Sequence, residues 1–164
     1  MIRVLFIDDA YLAEQYPVPS NIERKNILTT IKIAQIDLID LLGKCLYDRL
    51  EQGIIDSDLT SDEAILYDYC KLYLVFITAK QLLEFVSIER TLSKEIDVDR
   101  TIQSAEDRAG YMEERIQRFI NKTTALKDIA TATGCGDEDS YNDGDSLSSS
   151  SGIYYPDYTI GDDC

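Results

Sequence analysis

Histidine and tryptophan are missing from the chain altogether, and basic side chains are outnumbered 16 to 31 by acidic ones. Each shortage narrows function. Without histidine the usual general base and the commonest metal ligand are gone. The four cysteines, Cys45, Cys70, Cys135 and Cys164, show no C-x-x-C spacing. With no histidine to complete a ligand set, a zinc site is not expected. A net charge of −15 opposes binding to nucleic acid, which needs lysine and arginine to displace phosphate counterions, so a groove-reading DNA binder is not expected. The longest apolar run, Leu72 to Ala79, falls far short of the roughly 18 residues a membrane span requires. No charged n-region precedes an apolar h-region at the N-terminus, which leads us to expect a soluble intracellular protein without membrane contact.

Motifs of nucleotide and hydrolase chemistry are equally scarce. No G-x-x-x-x-G-K-[ST], G-x-G-x-x-G or G-x-S-x-G pattern occurs. Paired carboxylates are uninformative in so acidic a chain, and neither a catalytic residue nor a cofactor is expected. The segment Asp137 to Asp145 superficially resembles a calcium loop. Placing Gly144 at the sixth loop position puts Tyr141 at the third and Ser150 at the twelfth, where acidic ligands are needed, so an EF-hand fails. Asn121-Lys122-Thr123 matches a glycosylation sequon but falls inside a helical pattern.

What the sequence does contain is helical periodicity. Arg3 to Ile7 reads as an edge strand or a packed lead-in, followed by a short helix capped by Asp8 or Asp9 and ended by Pro17 and Pro19. Ser20 with Glu23 forms a capping-box pattern that starts the main helix. Ile27, Ile31, Ala34, Leu38, Leu41 and Cys45 then recur at alternating spacings of four and three, one buried stripe. A second apolar patch, Ile22, Ile33 and Ile36, lies on the other side among Lys25, Thr29, Lys32 and Asp40. It either packs under the N-terminal segment or meets a neighbouring subunit, and these three residues are the candidate subunit interface. Gly43 marks a bend or helix junction, and Gly53 is expected to cap the next helix.

Thr60 and Glu63 form another capping box, opening a helix from Ser61 to about Ser87 that is apolar on nearly every side and so central. Tyr67, Tyr69 and Tyr73 ring it, and Cys45 and Cys70 read as core fillers. Leu92 to Val98 alternates like a short strand or an extended loop. Asp99 then caps a last helix, about Arg100 to Ala130. Its seam of Ile102, Ala105, Ala109, Met112, Ile116, Phe119, Thr123, Leu126 and Ala130 suits docking along a bundle edge better than a coiled coil.

Composition changes at Gly134. From there on eight residues are acidic and none is basic, leaving 23 acidic and 16 basic before it, a net of −7. Ser146 to Gly152 is low in complexity, a composition that cannot build a core of its own. Ile153, Tyr154, Tyr155, Pro156, Tyr158 and Ile160 instead form an aromatic and β-branched cluster. It reads as an anchor that folds on a partner surface. The expected architecture is therefore all-α: a small bundle of about four to five helices over residues 1–133, and an extended acidic C-terminal arm over 134–164.

The stretch from Ile31 to Gly53, IKIAQIDLIDLLGKCLYDRLEQG, resembles the head–tail connector proteins of tailed bacteriophages, also called adaptor, head-completion or neck ring proteins. The likeness rests on the I-x-x-A-Q-x-x-x-(I/L) helix, the Leu42-Gly43 break, and Leu46-Tyr47-Asp48-x-Leu50. An acidic connector, a long apolar helix and a charged last helix follow in the family's order over residues 20–130. The acidic arm ending in IYYPDYTI departs from the general family and looks more like the ring proteins of crAss-like phages. The resemblance implies a structural virion protein at the neck, assembled in the host cytoplasm. It implies a ring, as a dodecamer of this chain, between the portal protein and adjacent tail or neck ring proteins, with the genome passing through without specific binding. Contacts between unlike faces close into rings, and a negative wall repels DNA phosphates, so the physical reading is compatible. The alternative is a small acidic protein that mimics DNA and occupies a DNA-binding partner. Its charge needs regular rows on a folded surface, whereas here much of it lies in the arm.

Overall fold

A computed structural model describes residues 2–17, 22–89 and 96–132, and among them the chain is all-α. The helices are α1 (Asp9–Gln15), α2 (Arg24–Leu42), α3 (Lys44–Asp56), α4 (Ser61–Glu89), α5 (Ile96–Lys122) and α6 (Thr124–Ala130). The arm, with its candidate residues Ile153, Tyr154, Tyr155, Pro156, Tyr158 and Ile160, lies outside the described residues, as do Ser20, residues 90–95 and the Asp137–Asp145 segment.

α4 is the axis of the bundle. It opens on the Thr60–Glu63 capping box, in which the Glu63 carboxylate accepts from the Thr60 amide at 2.8 Å and the Thr60 hydroxyl accepts from the Glu63 amide at 3.3 Å. Leu66, Cys70, Tyr73, Leu74, Val75, Ala79, Leu82 and Val86 bury its inner faces. α5 returns antiparallel against it. Lys80 pairs with Glu106 at 2.9 Å near one end, and Tyr69 meets Phe119 edge-to-face at 5.5 Å near the other. Ala105, Ala109, Met112 and Ile116 of the alternating seam are buried in this contact, and Leu126 continues it in α6. The small residues at the seam let the two helices approach along one edge, as in a bundle.

α2 packs against α4, burying the stripe Ile31, Ala34, Leu38 and Leu42, and the Gln117 side chain of α5 donates to its Leu41 carbonyl at 2.8 Å. Gly43, at φ +77, ends α2 and begins α3. Only glycine adopts that angle without strain, so the bend expected there is a true helix junction. α6 closes over it, the Ala130 carbonyl oxygen lying 3.4 Å from where a Gly43 Cβ would be.

Several boundaries differ from those read in the sequence. α2 starts at Arg24, with Glu23 extended and making no side-chain cap, so the Ser20–Glu23 box does not open this helix. Its first turn is tied instead to α1 by the Arg24–Asp9 ion pair at 2.7 Å. Gly53 lies inside α3, where Leu59 packs so close that a Cβ would meet its Cδ2 at 2.5 Å; the helix ends at Asp56, with Ser57 left-handed at φ 58. The last helix starts at Ile96, earlier than Asp99, and the end of the alternating stretch at 96–98 is helical. It also breaks at Thr123, where Asn121, Thr123 and Thr124 combine low helix propensities.

Candidate interaction surface

The N-terminal lead-in makes no strand. Its backbone is paired by buried side chains instead. Glu51 accepts from the Arg3 and Val4 amides at 2.6 and 3.1 Å and from the Arg3 side chain at 2.8 Å. Gln35 accepts from the Phe6 amide at 3.1 Å and donates to the Val4 carbonyl at 2.7 Å and the Tyr47 hydroxyl at 2.6 Å. Phe6 stacks on Tyr47 at 5.2 Å and meets the Tyr67 edge at 5.3 Å, while Tyr67 donates to the Phe6 carbonyl at 3.0 Å. Gln35 and Tyr47 are motif positions of the stretch 31–53, and both hold the lead-in against α2 and α3.

Burial sets the electrostatics of this clasp. It pushes the Tyr47 hydroxyl up to about 12, keeping it a neutral hydrogen-bonding group. Burial also raises Glu51, but the Arg3 guanidinium and the two amides outweigh it and hold the carboxyl below its ordinary range. Glu63 is held low in the same way against its own burial, by Arg49 at 2.7 Å and by the Thr60 cap. Both buried carboxylates are thus engaged by structural partners. Among the described residues no group of three or more histidine, cysteine or acidic side chains is placed to hold a metal ion.

The clasp leaves the outer face of α2 uncovered. Ile33 and Ile36 are 49% and 53% exposed. The lead-in runs beside them rather than over them, forming a groove of about 600 Å³ with Ile2, Val4 and Leu5 on one wall and Ile33, Ile36 and Ile39 on the other. A second groove, about 430 Å³, lies on the α4 side, lined by Thr30, Ile33, Leu82 and Phe85, with Phe85 46% exposed. Thr29 and Ile33 wall both grooves. Ile22 does not join them: it precedes α2, is half-buried at the margin of the core, and lines neither groove. The patch of three residues is therefore a patch of two, widened by Phe85 and by the lead-in, neither of which periodicity within α2 could reveal.

A third groove, about 350 Å³, lies across α4 and α5 and is not among the surfaces expected from the sequence. Tyr69 and Phe119 form its floor, with Tyr111, Arg115, Arg118 and Lys122 around it. The signal was present: Tyr111, Arg115, Arg118 and Lys122 fall at spacings of four, three and four, one stripe of a helix. Arg115 sits 4.4 Å over the Tyr69 ring and donates to its hydroxyl at 3.2 Å.

The chain matches no protein-family model, no curated protein and no solved structure. Among the described residues no helix is long and apolar enough to cross a membrane.

Proposed function

We propose that this chain is a structural subunit of a ring, the head–tail connector of a tailed phage, standing in the neck between the portal and the tail. The observation that carries the reading is the outer face of α2. Two isoleucines about half exposed, continued by grooves on both sides, form an apolar surface that the monomer does not bury. The occupant proposed is a second copy of the chain. The two grooves share Thr29 and Ile33 and so make one face, and a contact of that face with a different face of the next copy is heterologous and closes into a ring when the rotation permits. The resemblance of residues 31–53 to connector proteins gives that ring its place. The reading assigns the chain assembly rather than catalysis, with the portal and neighbouring neck proteins as its partners. DNA passes a wall whose charge repels it.

Imaging of assembled particles tests this proposal. Rings, formed alone or on a portal, are the expected result, and removing residues 153–164 is expected to leave helix content unchanged while lowering ring yield. A monomer under all conditions that displaces DNA from a DNA-binding protein contradicts it.

A further inference from the structure

We propose that the basic, aromatic groove across α4 and α5 is the seat of this chain's own C-terminal segment, residues 153–160, held in cis by its tyrosine rings and the acidic residues beside them. The inference stands apart from the ring reading, since it concerns a different face and a free subunit.

The groove is chemically unlike the rest of the molecule. In a chain with 31 acidic and 16 basic residues, it gathers three cations around three exposed or half-buried rings. Arg118 is paired with Glu114 at 2.7 Å. Among the described residues no carboxylate pairs with Arg115 or Lys122. Arg115 is spread over the Tyr69 ring, and Tyr111 stands 60% exposed at the rim. Such a site selects a ligand with both aromatic faces and negative charge, because rings stack on guanidinium and tyrosine while carboxylates meet the cations that no carboxylate of the bundle pairs.

The chain carries that ligand. Residues 134–164 hold eight acidic residues, no basic one, and Tyr141, Tyr154, Tyr155 and Tyr158. Asp157 lies within the aromatic cluster, and Asp162 and Asp163 follow it. Reach is ample. Lys122 of the groove ends α5, and Ala132 follows only the seven residues of α6, a helix about 10 Å long. The 20 residues from 133 to 152 can span up to about 70 Å. A tether of this kind supplies the segment at an effective concentration on the order of millimolar, so a weak intrinsic contact suffices for occupancy. A nucleic acid meets the same cations but must approach a body of net charge −15, which opposes it. Held this way, the segment is kept off other surfaces until a partner with a better site takes it.

Hydrogen exchange of the intact full-length chain, read by mass spectrometry, tests the seat. Residues 153–160 are expected to exchange several-fold more slowly than an unstructured peptide, independently of protein concentration. The double variant Arg115→Glu/Lys122→Glu is expected to lose that protection with an unchanged melting temperature. Adding Asp157→Lys/Asp162→Lys to it is expected to restore the protection. Exchange at the unstructured rate in the wild type overturns the proposal, as does protection indifferent to Arg115→Glu/Lys122→Glu. Protection that vanishes on dilution assigns the groove to another copy's segment and overturns the cis seat. An oligothymidylate that binds the wild type at physiological salt, but not the double variant, assigns it to nucleic acid and overturns the proposal too.

Discussion

Glu51 and Glu63 make the fold sensitive to acid. Each is almost fully buried, and each is held below the ordinary glutamate range by an arginine and by backbone amides that outweigh the effect of burial. A carboxyl whose native pKa lies below its unfolded value binds its proton more readily when unfolded. Its stabilisation is therefore full above the unfolded value of about 4.3 and is lost as pH falls through the native value. Tyr47 and Tyr73 work in the opposite sense. Burial pushes both up to about 12, so their contribution is full below the unfolded value of about 10 and is lost as pH rises towards the native one. The predicted profile is a plateau of melting temperature through neutral pH, falling below about pH 5 and above about pH 10. Glu63→Gln is expected to lower the plateau, since it leaves Arg49 without its bidentate partner, and to flatten the acid limb. A melting series by circular dichroism from pH 3 to pH 11 checks it. An acid limb of unchanged steepness in Glu63→Gln would place the sensitivity elsewhere.

At the scale of helices, the joint between α2 and α3 is the most constrained point. Gly43 is at φ +77, and its missing Cβ faces the Ala130 carbonyl oxygen of α6. Gly43→Ala puts an L side chain into a strained backbone angle, with an expected cost of about 1–2 kcal/mol. Denaturant titration measures it, and a variant as stable as the wild type would show that the joint relaxes. This joint was legible in the sequence, because a glycine interrupting an apolar stripe most simply marks a turn between two helices. So were the Thr60–Glu63 capping box and the buried stripe of α2, each a local pattern with a single physical meaning. The role of Gly53 was not legible, because what crowds it is the Leu59 side chain, brought in by the turn after α3. The break at Thr123 was hidden by a seam that keeps its spacing across it. The candidate surface was half legible: Ile33 and Ile36 stand out by periodicity, but Phe85 and the lead-in join them only through tertiary packing. Gln35 and Glu51 gave no sign of burial, since their role depends on unpaired backbone 29 to 48 residues away.

At the scale of the whole molecule, three surfaces have separate roles. The inner faces of α2, α3, α4 and α5 make most of the core, with Phe6, Leu12 and Leu126 closing it. The outer face of α2 is proposed to meet another copy, and the α4–α5 groove to hold the chain's own end. The negative charge is shared between the bundle, at −7 before residue 134, and the arm beyond it. That division leaves the exposed isoleucines as an apolar island on a charged body, where self-association is the way to remove them from water without altering the core. Each isoleucine is already about half buried, so covering the rest contributes on the order of 1 kcal/mol apiece, and a charge placed there acts directly on assembly. The central claim is tested most directly by particle mass, measured across a concentration series for the wild type and for Ile33→Asp/Ile36→Asp. The account predicts rings of one fixed copy number for the wild type and monomers for the variant, with identical helix content. A wild type that forms rings which persist unchanged in the variant, or that stays monomeric with and without a portal, would contradict it.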